Sequence, residues 1–236
     1  MVLHADARTG FKEMNDFIRA CGDRDITIEN CLGQRFIGSG IKDKTITVSG
    51  TPGNALGAYL DGGTIHLNGN AQDATGDTMN DGMIVVHGSC GDAAGYAMRG
   101  GKIYIKGDAG YRAGIHMKEY RDKIPVLMVG GSAGSFLGEY QAGGLIIVLG
   151  LHSQKSPVGN FCGTGMHGGK IYLRTQNPPE LPEQVSVKKA EDISEIIPYI
   201  SEFCKLFNLD AKIAGDTFYV LTPNSANPYQ QLYVAN

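Results

Sequence analysis

The chain has 236 residues, 42% of them apolar, with 34 glycines and a formal net charge of −3. That is enough to build a sizeable core in one large domain or two small ones. The balanced charge, with no basic block, excludes any obvious nucleic-acid or anionic-membrane surface.

The first ten residues, MVLHADARTG, carry no apolar signal-peptide core, and the longest apolar run, Leu145–Leu149, is too short to span a bilayer. A soluble cytoplasmic protein is the expectation. Five cysteines (Cys21, Cys31, Cys90, Cys162, Cys204) are scattered without a CxxC pair, which speaks against a disulfide framework and against a zinc or iron–sulfur site. They read as buried thiols.

Residues 10–21 show helical spacing at Phe11, Met14, Phe17 and Ile18. This segment precedes a degenerate first coil, Ile26–Lys44, and is expected to cap it, so residues 1–25 are read as an N-terminal cap.

From Gly50 onward a register takes over. Glycine leads at Gly50, Gly69, Gly88, Gly107, Gly131 and Gly150, spaced 19, 19, 19, 24 and 19 residues apart, and the first five are followed seven residues later by Gly57, Gly76, Gly95, Gly114 and Gly138. A fixed period with one insertion is the mark of a repeat architecture. Before each leading glycine runs an alternating strand. Ile46, Ile65, Ile84, Ile103, Leu127 and Ile146 share one position, and Val48, Leu67, Val86, Ile105, Val129 and Val148 share the position two later. A period of two puts both columns on one strand face. Leu60, Met79, Met98 and Met117 form a third column.

The glycines permit tight or left-handed corners after each strand. Further corners stand at Gly62-Gly63, Asp81-Gly82, Gly100-Gly101, Gly143-Gly144 and Gly168-Gly169. Three corners per repeat describe an all-β fold: one coil of a single-stranded parallel β-helix of about seven coils. Each inward side chain would contribute roughly 1.5–3 kcal/mol before entropy, so no coil stands alone. A dinucleotide loop is not indicated, because no amphipathic helix follows the glycine turns. Calcium-binding nonapeptide and hexapeptide helices have much shorter periods.

The outward strand positions change along the chain, from Thr45, Thr47, Thr64 and His66 to Val126, Met128, Leu145 and Ile147. Apolar residues on both faces are expected to be covered on both. The cover is either the C-terminal segment or another copy or subunit, so a homo-oligomer through Met128 and Ile147 stays open. The stack is read as residues 26–175. Beyond the prolines of TQNPPELPEQ, residues 176–236 read as an α/β extension with a helix over Ala190–Phe207, a strand at Thr217–Leu221 and a tail ending PYQQLYVAN.

Four places could carry chemistry or contacts. Asn54, Asp73, Asp92, Tyr111 and Ser135 form a polar column four residues after the leading glycines. It could hold a cation or an acid–base pair, or simply bond turn amides. The insertion IHMKEYRDKIP concentrates His116, Lys118, Glu119, Tyr120, Arg121, Asp122 and Lys123 shortly after Arg112, and a second, LHSQKSPVGNFCGTG, holds His152, Lys155 and Cys162. Insertions in solenoids project from one face and can bind partners. A cysteine and histidine ten residues apart make a weak nucleophile–base pair. No catalytic, cofactor-binding or metal-ligating set is assigned.

The strings GTPGNALGAYLDGG (50–63), GNAQDATGDTMNDGMIVVHG (69–88), GDAGYRAG (107–114), GSAGSFLGEYQAGGLIIVLG (131–150) and GNFCGTGMHGGKIYL (159–173) resemble the C-terminal GXGXG domain of glutamate synthase large subunits. The same domain is similar to one of the subunits of formylmethanofuran dehydrogenase and to one of N-methylglutamate synthase. The resemblance implies a right-handed β-helix without catalytic residues, a spacer joining glutamine amidotransferase and FMN synthase parts beside the ammonia route. It further implies that those parts are separately encoded partners and that FMN and iron–sulfur groups belong to them. The residue after Met1 is Val2, where the amidotransferase nucleophile of such enzymes would be cysteine. Arg112 matches an arginine of the larger enzymes, whereas His116 and Met117 stand where they carry Arg-Asn, pointing to a different amine donor or a different partner surface.

Overall fold

The structure is a computed structural model that describes residues 1–153 and 156–224. Nine strands succeed one another along the chain: β1 (Val2–His4), β2 (Asp25–Leu32), β3 (Thr45–Thr51), β4 (Asp61–Asn68), β5 (Asp81–Val86), β6 (Lys102–Ile105), β7 (Val126–Val129), β8 (Ala142–Val148) and β9 (Gly168–Arg174). Each pairs in parallel with the next. The register follows the sequence columns: Ile46 opposes Ile65, then Ile84, Ile103, Leu127, Ile146 and Ile171 in turn.

Successive turns of chain also bond away from this sheet. Ala71, Cys90, Ala109, Ala133 and Val158 form a ladder of single parallel bridges. At a further corner, the amides of Ala55, Ala74 and Ala93 donate to the carbonyls of Asp73, Asp92 and Tyr111 one coil on. The backbone polar groups of each turn are thus satisfied by its neighbours, which is what lets so short a repeat bury its inner face.

Two strands complete the sheet. β10 (Val185–Lys189) and β11 (Phe218–Pro223) add antiparallel, giving eleven strands in the order β1 to β9, then β11 and β10. The protein is mostly β and its sheet is mixed: the extension contributes two strands to the sheet where the sequence pattern predicts one. The short β1 and the charged VSVKK of β10 have too little alternation to stand out.

Helix α1 (Phe11–Ala20) buries Met14 and Ile18 of the expected face together with Asn15, while Phe11 is exposed and Phe17 half-buried. Asn15 ties it to the stack by accepting from the Gly38 amide at 3.1 Å. The C-terminal helix is shorter than expected. α2 spans Ile197–Phe207 with Pro198 in its first turn, where a missing N–H costs no helical bond.

Two separate cores result. The inner one, on the sheet face away from α2, holds the Ile, Val/Leu and Met columns with Cys31, Cys90 and Cys162. The outer one lies between the sheet and α2: Val85, Tyr104, Met128, Ile147 and Tyr172 pack under Ile200, Phe203 and Phe207. Of the two covers open from sequence, the structure places α2 on this face.

Candidate functional site

The polar column is absorbed into the stack. Asp73 accepts from the amide of Asp92 at 2.9 Å, Asp92 from Tyr111 at 2.8 Å, and Ser135 from Asn160 at 3.1 Å. A second column one residue after the leading glycines repeats the device: Asn70 accepts from Ser89, the Ser89 hydroxyl from Asp108, and Asp108 from Ser132 at 2.7 Å. These side chains bond one coil to the next. Among the described residues, no group of three His, Cys, Asp or Glu is placed to hold a metal ion.

The cysteine–histidine pairing is not formed. Cys162 is buried within the inner core, and burial pushes its thiol up to about 12, away from the reactive thiolate. His152 is exposed outside the stack. Lys155 and the PYQQLY tail lie outside the described residues. Met128 and Ile147 are fully buried beneath α2, so they offer no surface to a partner or a second copy. That part of the expected interaction surface is corrected: both faces of β7 and β8 are covered from within the chain.

The insertion folds back rather than projecting freely. Lys123 reaches Asp81 at 2.8 Å and holds that carboxyl below its ordinary value by a hydrogen bond. Glu119 accepts from the Gly144 amide at 3.0 Å, and Tyr120 bridges Lys123. Arg121 lies over the Tyr120 ring, 5.2 Å from its centroid.

The remaining residues converge on one corner of the later coils. Each coil there places residues five and nine after its leading glycine in the left-handed region. The first position runs Ala55, Ala74, Ala93, Arg112, Phe136, with Phe161 bonded next in the stack, and the second runs Tyr59, Thr78, Ala97, His116, Tyr140. Left-handed backbone costs a residue with a side chain about 1–2 kcal/mol. The early coils mostly place small residues here, whereas the later ones place an arginine, a histidine and aromatic rings.

Those rings touch. His116 stacks on Tyr140 with centroids 5.1 Å apart and meets Tyr96 edge-on at 5.8 Å. Phe136 stacks on Phe161 at 5.0 Å, and the Arg112 guanidinium sits 5.1 Å above Phe136 while its Nε donates to Glu139 at 3.0 Å. A surface recess of about 460 Å³ opens beside them, lined by His116, Lys118, Tyr140, Ala142 and His167. Arg112, His116 and Lys118 stand out in the sequence; Tyr96, Phe136, Tyr140, Phe161 and His167 do not. Phe136, Tyr140 and Phe161 share coil positions with Arg112 or His116, whereas Tyr96 and His167 come from other positions of their coils.

The comparisons with known proteins agree with the glycine register. The family model described as the GXGXG motif matches residues 12–217. A protein of Methanocaldococcus jannaschii named "Uncharacterized protein MJ1350" is 45% identical over 236 residues, covering 94% of this chain and 90% of that protein. Among solved structures, a chain of the formyltransferase/hydrolase complex (FhcABCD) from Methylorubrum extorquens, solved with methylofuran, is similar in fold. Its TM-score is 0.61 at 23% identity, over 84% of this chain and 72% of that one.

Proposed function

This chain belongs to the GXGXG motif family, and from that premise we propose that it is a non-catalytic structural subunit of a glutamate-synthase-like oxidoreductase complex. In this reading the coils form the right-handed parallel β-helix of residues 26–175, bracketed by the N-terminal cap and the C-terminal extension. It bridges a glutamine amidotransferase and an FMN-dependent synthase subunit and helps shape the route of ammonia. FMN and iron–sulfur groups reside in those partners.

The observation that carries the reading is the fate of the polar columns. Asp73 and Asp92, the carboxylates whose regular spacing offered acid–base or cation chemistry, each accept a backbone amide of the following coil, and Asp108 of the second column does the same. Their spacing serves the stack. Purified alone, the chain should hydrolyse no glutamine; added to its separately purified amidotransferase and flavin subunits, it should raise glutamine-dependent synthesis. Turnover by the isolated chain that falls in Asp92→Ala or His116→Ala would overturn the proposal in favour of a self-sufficient β-helix enzyme.

The fold shared with a chain of the Methylorubrum extorquens complex favours a second reading, membership of a formylmethanofuran-dehydrogenase-like assembly. Association with a molybdenum or tungsten protein in place of a flavoprotein would select it.

A further inference from the structure

A groove of about 600 Å³ lies at the end of the stack, between the corner of the last repeat and the segment that leads into β10. Phe161 and Thr164 line one side; Leu181, Pro182, Glu183 and Gln184 line the other. The second side is held in place, because Leu181 packs against the inner core and Val185 sits against Gly163. Phe161 remains 55% exposed although it stacks on Phe136. An exposed ring beside half-buried Leu181 and Pro182 is an apolar surface that gains from a cover.

The chain itself arrives at the rim. β11 pairs with β10 until Pro223 stands opposite Val185, and Asn224 continues that register. Its amide donates to the Gln184 carbonyl at 2.8 Å, its side-chain amide donates to the Glu183 carbonyl at 2.7 Å, and its Oδ1 accepts from the Ser186 hydroxyl. Two of these three partners line the groove. The same antiparallel register, carried onward, runs toward Pro182 and Leu181 along the groove's side.

Residues 225–236, SANPYQQLYVAN, follow Asn224 in the sequence and lie outside the described residues. Their composition suits an apolar groove: Tyr229, Leu232, Tyr233 and Val234 supply the rings and branched chains, and no Asp, Glu, Lys or Arg stands among them. Reach and tethering favour this segment over a free partner. An extended chain advances about 3.3 Å per residue, so Asn224 to Tyr229 spans about 16 Å. A segment tethered so closely is present at about millimolar effective concentration, which a free partner or a second copy does not match.

We propose that residues 225–236 dock in this groove as a strap over the corner of the last repeat, with Tyr229, Leu232 and Tyr233 covering Phe161 and Leu181. A partner that uses this corner has first to displace the strap. The contact is internal to one chain, so it holds or fails independently of the structural-subunit reading.

Hydrogen–deuterium exchange of the full chain, followed by mass spectrometry, tests it, with the synthetic peptide SANPYQQLYVAN as the unprotected reference. Amides from Tyr229 to Val234 should exchange about tenfold more slowly in the protein than in the peptide, whatever the protein concentration. In Phe161→Ala they should return to within about twofold of the peptide. The β3–β8 strands should keep their protection in that variant, because Ala55, Ala74 and Ala93 hold the equivalent left-handed position in earlier repeats. Should it lose its fold, Leu232→Asp, which alters none of the described residues, should release the segment instead. Peptide-like exchange in the unaltered chain, undiminished protection in a folded variant, or protection that grows with protein concentration would overturn the proposal, the last by making the occupant the tail of a second copy.

Discussion

At the scale of single residues, the repeat glycines are fixed by two different constraints. Gly57, Gly76, Gly95, Gly114 and Gly138 sit at φ between 64° and 71°. Gly88, Gly107 and Gly131 do not have positive φ; a Cβ there would strike Asn70, Ser89 and Asp108 of the preceding coil. Gly110 is held the same way, its Cβ position colliding with Asp92 Oδ1 and lying 2.8 Å from the backbone carbon of Gly91. Gly110→Ala should therefore cost about 3 kcal/mol by overpacking. Gly40, at φ 68° with open space around it, should cost only about 1 kcal/mol as alanine, through its backbone alone. Asp92→Ala, which orphans one amide at the surface, belongs with the smaller loss of about 1 kcal/mol. Denaturant midpoints check the ranking, and equal losses at Gly110 and Gly40 would refute it. The glycine register was legible in the sequence because glycine alone fits these places. The left-handed positions of Arg112, His116, Phe136 and Tyr140 were not legible, since none of these residue types prefers that backbone. Asn70, Ser89 and Asp108 passed for ordinary turn residues because their chemistry changes from coil to coil.

At the scale of elements, the docking of α2 rests on a motif used twice. Lys102 and Tyr104 of β6 both donate to Glu202 at 2.6 Å, and Lys170 and Tyr172 of β9 both donate to Glu195 at 2.7 and 2.8 Å. The shared Lys-Ile-Tyr is plain in the sequence at 102–104 and 170–172, but its carboxylate partners lie in a distant segment, so it passed as strand alternation. Burial pushes both glutamates up, and the lysine and tyrosine hydrogen bonds outweigh it, leaving each below its ordinary value of 4.5. A carboxyl held low in the folded state stabilises the fold above its unfolded pKa, and that contribution is lost as pH falls through the folded value. Amide exchange over Ile197–Phe207 should accordingly quicken below about pH 4.5, ahead of the β3–β8 strands; uniform protection down to global acid unfolding would contradict this. Glu202→Ala at neutral pH should loosen the helix by about 1–3 kcal/mol, because the Tyr104 hydroxyl loses its acceptor in a buried setting. Tyr104→Phe in the same chain should recover part of that loss.

At the scale of the molecule, the chain is a stack with two kinds of cover. α1 and β1 lie at one end, while β11 and β10 extend the sheet at the other and α2 roofs its outer face. Removing residues 177–236 uncovers Val85, Met128, Ile147 and Tyr172 together and leaves β9 as an open edge. The truncated chain should self-associate, as light scattering would show; a soluble monomer would mean the outer face needs no roof. The stack was legible from sequence because each coil repeats the same columns. The roof was legible only as a need, since apolar residues on both strand faces demand a cover without naming it. Among the described residues no helix is long and apolar enough to cross a membrane.

The central claim is that this molecule works by joining other proteins. Native mass spectrometry of the assembly recovered from the host through a tag on this chain tests it most directly. The expected species is heavier than the 25.2 kDa chain and contains an amidotransferase-type subunit and an FMN-bearing subunit; a 25.2 kDa chain recovered alone would refute the bridging role.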